Sequence, residues 1–410
     1  MTDRSITVAF HWNSGGCGGD ITESLTNFGS QPRRVVEAYV DWVNRHAEDG
    51  TSMNGVPVDL HGRRIKPVFV ATGGASPECA SVSRAGAIRI ADEERAFAAV
   101  SSTLSFDEAV VAPLVAGRGT MHFGSVGLSE PGFYVKHHPH VWSPYATASV
   151  QVRHLADYIT QRLARGGPPG HTRYDGKRVY GLVVADQAGP RAIAAELVTA
   201  LGDEVQVAAE VRYTPDIAQA QAQATAGINR LRAAGVNTLI MLTDPVAPIV
   251  LTKTAQAQGW SPDYLVSSYG YLDTTRAAAN FDPTQWRNAF GVSGLGPLAQ
   301  GNAVELDRLP YAAAYREVRP GAEPPADAIV WWSSISTLVA GISAAGPQLT
   351  PRTVAAALTD TVAGTTDTGS RIDVLPGRHG LFDDFGLVAF DGTRYTYYES
   401  GRRYRTGEAL

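Results

Sequence analysis

A chain of 410 residues is too long for one compact core, and at roughly 150 residues per domain it divides into two or three. Its 44% hydrophobic content suits a globular fold and excludes disorder or a fibrous repeat, while a charged fraction of only 18% leaves much of the polar surface to Ser, Thr, Gln, Asn and backbone. A net charge of −5 lacks the concentrated basic excess of a nucleic-acid binder, and no run approaches the roughly 20 apolar residues that span a bilayer.

Met1-Thr2-Asp3-Arg4 leads straight into the apolar run Ile6–Phe10, with no signal-type apolar region and no cleavage site. Two readings stay open: a cytoplasmic protein with its native Met1, or an extracytoplasmic one whose signal segment was removed ahead of Met1. Cys17 and Cys79 are the only cysteines, too few for a disulfide scaffold.

Ile6–Phe10 is the first predicted strand, followed by a long loop rich in Gly and Ser. Apolar residues at Val35, Val36, Tyr39, Val40 and Val43 then recur at helical spacing over Pro32–His46, with Pro32 in the first turn. Strands over Pro67–Ala71, Phe97–Val100 and Thr120–Phe123 alternate with helices over Pro77–Asp92 and Phe106–Ala116. This alternation implies βαβ units and a parallel sheet with helices on both faces. Pro139 and Pro144 bracket a break, after which the rhythm restarts with a helix over Ala148–Arg165. Strands over Arg178–Ala185, Val205–Tyr213, Thr238–Leu242 and Tyr264–Ser267 then alternate with helices over Arg191–Leu201, Ile217–Ala234 and Ala247–Gln258. The last third holds helices over Leu309–Arg316, Ala328–Ala345 and Pro351–Leu358, suited to covering an existing sheet. It ends in a hairpin, Leu387–Phe390 and Thr396–Tyr398, around the turn Asp391-Gly392.

These segments, taken in order, resemble the type I periplasmic binding proteins, in particular the branched-chain amino-acid-binding (leucine-binding-like) group of ABC-transporter solute-binding proteins. The resemblance is carried by the opening strand, Asn27-Phe28-Gly29, Ser76-Pro77-Glu78-Cys79-Ala80, Ala99-Val100-Ser101-Ser102-Thr103, Val183-Val184-Ala185-Asp186-Gln187, and the run from Asn237–Asp244 to Ala257-Gln258-Gly259-Trp260. It implies an α/β fold of two doubly wound parallel-sheet lobes joined by three crossovers, with a ligand cleft between them. Residues 1–144 would begin lobe 1, 145–296 would form most of lobe 2, 297–378 would return to lobe 1, and 379–410 to lobe 2.

In doubly wound sheets ligands sit beyond the C-terminal strand ends, near free helix N–H groups. The candidate ligand contacts there are Trp12 and Phe28 as aromatic walls, and Ser101, Ser102, Thr103, Ser105, Ser125 and Gly127 as hydroxyl or backbone donors. Asp186, Gln187, Asp244, Tyr269 and Tyr271 would face them from the second lobe, and Trp331 from the late helices. Each has a structural alternative. Trp12 could close the core edge, Ser105 could cap the following helix, Asp244 could cap the Pro245-led helix, and one of Trp331 and Trp332 belongs in the core. The family places an acidic residue after the last of these strands to receive an ammonium. Here Ser267-Ser268-Tyr269-Gly270-Tyr271 offers no carboxylate until Asp273, and Gly127 replaces an expected hydroxyl residue. An unpaired buried ammonium would be costly, so an aromatic, amide or other organic ligand is as well suited as an amino acid.

Other motifs point elsewhere only weakly. Gly15-Gly16-Cys17-Gly18-Gly19-Asp20 lacks the third glycine of a dinucleotide fingerprint and any Gly-Lys-Ser/Thr. His137-His138-Pro139-His140 is broken by its proline, so no metal site is expected. Cys17 has only His11 as a local base, whereas a Cys17–Cys79 disulfide would join loops after neighbouring strands of a 2-1-3-4-5 sheet. With no triad, carboxylate dyad or cofactor motif, the expectation is a monomeric binding protein, not an enzyme and without a cofactor. It would hand a small organic ligand to an ABC permease outside the cytoplasm. A cytoplasmic ligand sensor of the same fold is the alternative.

Overall fold

A computed structural model of the chain describes residues 2, 4–13, 32–53, 56–72, 80–102, 108–124, 129, 131–165, 177–296, 308–325, 328–360, 363–365, 371–373, 380 and 383–410. In chain order the first elements are β1 (Ser5–Asn13), α1 (Pro32–Arg45), β2 (Arg64–Thr72), α2 (Ala80–Ile88), β3 (Ala98–Ser101), α3 (Glu108–Arg118), β4 (Met121–Phe123) and β5 (Val141–Trp142). There follow α4 (Ala148–Tyr158), β6 (Tyr180–Ala185), α5 (Ala188–Leu201), β7 (Val207–Tyr213), α6 (Ile217–Ala233), β8 (Thr238–Leu242), α7 (Ala247–Ala257), β9 (Asp263–Val266) and β10 (Ala289–Ser293). The chain finishes with α8 (Pro310–Val318), α9 (Ala328–Ala345), α10 (Pro351–Asp360), β11 (Asp384–Phe390), β12 (Tyr395–Tyr397) and β13 (Arg403–Arg405).

These elements form two compact units, one of Met1–Ala146 with Gly301–Phe382, the other of Thr147–Gln300 with Asp383–Leu410, so the chain passes between them three times. In unit 1 the five strands are parallel in the order β2-β1-β3-β4-β5. Ala9, Val70 and Ala99 pack against Ala87 of α2, Ile90 just after it, and Val110 and Leu114 of α3. From the opposite face of β1, Phe10 meets Trp331 of α9, ring centroids 6.4 Å apart. Around α9, Trp332 stacks edge-on against Tyr39 and Trp42 of α1. α9 has the length and mean hydropathy, 1.5, of a membrane span, yet 72% of it is buried inside the protein, as befits a core helix.

Unit 2 repeats the pattern as β7-β6-β8-β9-β10, all parallel, then adds β11 antiparallel to β10, with β12 and β13 both pairing β11. Every residue of β6 and β8 is buried, the near-continuous apolar run expected of strands covered on both faces. Val183, Leu239, Met241 and Val266 pack with Ile228 and Leu231 of α6 and Leu251 and Ala255 of α7. On the other face Tyr158 of α4 meets Phe290 of β10 edge to face.

The structure differs from the sequence expectations in a few elements. β1 runs on through Asn13, so His11, Trp12 and Asn13 are strand residues and not a loop. β5 lies between Pro139 and Pro144 where a break was expected. β10, built of Ala-Phe-Gly-Val-Ser, had no strong signal of its own. Residues 363–365 and 371–373 form a further small hairpin.

Candidate functional site

Strand order reverses between β1 and β3 in unit 1 and between β6 and β8 in unit 2. The C-terminal ends beside such a reversal are where an open α/β sheet leaves a crevice, because successive connections leave on opposite faces. Each unit carries a polar cluster there, buried in unit 1 and partly buried in unit 2.

In unit 1, parallel register sets His11 beside Ser101 and His122 beside Ala99. β3 runs between β1 and β4 and offers only small side chains on that face, so the two imidazoles reach over it. Their Nε2 atoms are 2.6 Å apart and the rings stack at 4.9 Å. The Thr72 hydroxyl donates to the Trp12 carbonyl at 3.2 Å, so it accepts from His11 Nδ1–H, also at 3.2 Å. With that proton on Nδ1, His11 Nε2 is the acceptor and His122 Nε2–H the donor. Both histidines are buried, and burial pushes His11 down to about 4 and His122 well below its usual range, the latter helped by His11. The pair is neutral at pH 7. Thr72 and His11 thus brace the backbone of Trp12, whose partly exposed ring lies 6.3 Å from Phe69.

Ser101, the last residue of β3, is fully buried, and Ser102 after it is half-buried. The Ser334 hydroxyl of α9 reaches the Ser101 carbonyl at 3.5 Å. Gly124, at φ +134°, passes so close that a Cβ would stand 2.2 Å from that carbonyl oxygen. Trp331 is closed off from solvent, and its indole Nε1 has no hydrogen-bond partner. Both Trp331 and Trp332 are therefore core side chains, where the sequence reading expected only one. Phe28, Thr103, Ser105, Ser125, Gly127, Cys17 and Cys79 lie outside the described residues.

In unit 2, Asp244 follows β8. Its Oδ1 accepts the N–H groups of Val246 and Ala247 at 2.7 and 3.0 Å, capping the turn into α7. Its Oδ2 accepts the Tyr213 hydroxyl at 2.6 Å, and that hydroxyl accepts the Asp244 N–H at 3.1 Å. The capping role weighed for Asp244 from sequence is thus realised, together with a tyrosine partner that sequence did not suggest. Burial, and then Asp244, raise the pKa of Tyr213 and of Tyr269, so both phenols stay protonated. Tyr269 and Tyr271 form a buried turn with Gly270, whose φ of +64° lets it approach the Thr243 carbonyl, 2.1 Å from where a Cβ would sit. Thr243 is fully buried, and its hydroxyl has no hydrogen-bond partner.

Asp273, the carboxylate that sequence placed next, is fully buried and accepts the hydroxyls of Ser268 at 2.7 Å and Ser293 at 2.5 Å. Burial raises its pKa, against the lowering by those two hydroxyls. Asp186 is exposed and paired with Arg191 at 3.1 Å, and Gln187, also exposed, precedes α5 without capping it. Asp186, Asp244 and Tyr269 all follow the C-terminal ends of unit 2 strands. Thr72, His122, Tyr213 and Thr243 were not singled out from sequence, and His11 was weighed only as a base for Cys17. A polar residue inside an apolar strand, such as His122 between Met121 and Phe123, was the available signal. Among the described residues no group of three or more His, Cys, Asp or Glu side chains could hold a metal ion.

No curated protein matches the chain in sequence. Solved structures share its fold at low identity. An ABC-transporter substrate-binding protein of Aeropyrum pernix has a TM-score of 0.69 at 14% identity, covering 98% of this chain and 96% of that one. A possible leucine/isoleucine/valine-binding protein of Rhodopirellula baltica SH 1 has a TM-score of 0.67 at 12% identity, with 97% of both chains covered. An ABC-transporter solute-binding protein of R. palustris, solved with 4-hydroxybenzoate, has a TM-score of 0.67 at 13% identity, covering 99% and 98%. The family profile described as periplasmic binding protein matches residues 16–393. With two doubly wound sheets, three passes of the chain and that match over most of its length, the chain belongs to the periplasmic binding protein family.

Proposed function

We propose that the protein is a solute-binding component of an ABC-type importer that captures a small organic molecule at the C-terminal strand ends of its two sheets. On this reading it acts as a monomer outside the cytoplasmic membrane, delivers the molecule unaltered to a permease, and needs no cofactor. The observation that supports it most directly is the family match combined with a polar cluster at the strand-order reversal of each sheet, buried in unit 1 and partly buried in unit 2. A rigid, preformed edge of this kind loses little entropy on binding, and a micromolar ligand needs only about −8 kcal/mol.

Neighbours of the same fold include a possible leucine/isoleucine/valine-binding protein and one holding 4-hydroxybenzoate, so the fold leaves the ligand open. Trp12 is the side chain best placed to be a wall of the site, being partly exposed on a strand end fixed from behind by Thr72 and His11. The test is a thermal-shift and tryptophan-fluorescence screen of the full chain against amino acids, aromatic acids, amides and sugars, followed by calorimetry. A binder whose affinity drops at least 10-fold in Trp12→Ala supports the reading. A screen in which no compound moves melting or fluorescence defeats it.

A further inference from the structure

We propose that the tip of β1 is held by an acid-released catch. It is a one-way chain of hydrogen bonds from His122 through His11 and Thr72 to the Trp12 carbonyl, and proton uptake by its imidazoles frees the tip. The catch lies within unit 1 and works whether or not Trp12 lines a solute site; if it does, acid loosens that wall.

Strand register leaves the tip in need of such a hold. β3 pairs with β1 only as far as His11, opposite Ser101, whereas β2 goes on to pair Trp12 with Ala71 and Asn13 with Thr72. Past His11 the strand is therefore held from one side. The added hold crosses the sheet: His122 Nε2–H donates to His11 Nε2 at 2.6 Å, and His11 Nδ1–H to the Thr72 hydroxyl at 3.2 Å. That hydroxyl donates in turn to the Trp12 carbonyl at 3.2 Å.

A chain of this polarity has room for one proton between the two Nε2 atoms. A second sets N–H against N–H at 2.6 Å, and the rings, stacked at 4.9 Å, have to part. Charged neighbours on the packed elements are committed elsewhere. α2 and α3 cover this face of the sheet with Gly86 against Thr72 and with Ala87, Val110 and Leu114. Arg84 of α2, Arg89 and Asp92 just after it, and Arg118 of α3 are exposed, while Glu108 is taken by Lys136 and His137. His140, whose carbonyl accepts the His122 N–H, turns its ring to the Gly119 carbonyl, and α9 on the opposite face carries no charged residue. His11 takes its proton at about pH 4 when held and near 6.5 when released, so released tips gain from acid. From pH 7.5 to pH 4 that difference raises the released population about 100-fold on His11 alone.

Hydrogen exchange of the full chain between pH 7.5 and pH 4, read by mass spectrometry on overlapping peptides and corrected for intrinsic rates, tests the catch. Protection at Trp12 and Asn13 should fall at least 10-fold more than at Ala98–Val100, buried in the same sheet. Thr72→Val should lose most of the tip protection already at pH 7.5, and His11→Gln/His122→Gln should abolish the extra acid response. Equal losses at tip and core, or an acid response that survives in the double variant, would overturn the proposal. None of these measurements uses a solute, so their failure leaves solute capture intact. Should neither variant fold, long-range 15N–1H spectra of the parent histidines decide at pH 7.5. A His11 proton on Nδ1 supports the catch, and one on Nε2 overturns it.

Discussion

Arg403 is the side chain on which the end of the chain is pinned to unit 2. From β13 its guanidinium forks onto Asp384 of β11, Nε to Oδ2 at 3.0 Å and Nη2 to Oδ1 at 2.8 Å. The remaining N–H groups donate to the carbonyls of Ser293, Gly294 and Leu295 at 3.1, 3.1 and 2.7 Å. The two side chains are only 10% and 2% exposed, so neither charge has water to fall back on. Burial alone would lower the pKa of Arg403, and Asp384 opposite reverses it. Replacing Arg403 by Met keeps most of the stem but strands the Asp384 carboxylate, a change that costs about 3–5 kcal/mol for a buried pair. At about 2–4 °C per kcal/mol for a unit of 150–250 residues, the transition of unit 2 should fall by roughly 6–20 °C. Scanning calorimetry of the parent, Arg403→Met and Arg403→Met/Asp384→Leu measures this. The double variant should recover at least half the loss, because it removes the uncompensated charge along with its partner. A single variant within about 2 °C of the parent would refute the reasoning, as would a double variant no better than the single.

Other consequences are as direct. His11 has a folded pKa of about 4, below its value of 6.5 in the unfolded chain, so the unfolded chain binds more protons between those values. Its stabilising contribution is complete above pH 6.5 and is lost as pH falls toward 4, by about 3 kcal/mol in all. The urea midpoint at pH 7.5 and pH 4.5 should therefore differ less in His11→Gln/His122→Gln than in the parent, and equal differences would contradict the assignment. Gly270→Ala should cost at least about 2 kcal/mol in urea unfolding, combining a left-handed backbone with the Thr243 carbonyl 2.1 Å from the new methyl. Gly259→Ala, at φ +62° after the end of α7 with nothing within 4 Å, should cost about half as much, and equal costs would show that the close approach is unimportant. Asp244→Ala should destabilise by about 1–2 kcal/mol through the lost cap and the Tyr213 hydroxyl left behind, read by the same unfolding curves.

What sequence made legible follows from where the signal is local. β6 and β8 were read correctly because Leu182-Val183-Val184 and Leu239-Ile240-Met241-Leu242 are apolar on both faces, and α1 because its apolar stripe repeats at 3.6 residues. β5 escaped because it is only Val141-Trp142, paired on one side between two prolines, and β10 because Ala289, Gly291 and Ser293 give no contrast. Asp244 as a helix cap was visible, since the N–H donors it accepts lie two and three residues away. Its second partner, Tyr213, is 31 residues distant, and His11 finds His122 across 111 residues. Such pairings depend on strand register over β3 and beside β8, which no local window carries.

The late return of the chain to each unit bears on its synthesis. A nascent polypeptide halted near residue 380 would already have made β6 to β10, yet β10 would still lack β11 and stand as an open edge at Phe290–Ser293. Ribosomes must therefore deliver the chain through Phe390 before that flank is sealed. Frameshifts or proteolytic clipping in this stretch should leave a sticky species that associates edge to edge, however sound the remainder of the molecule.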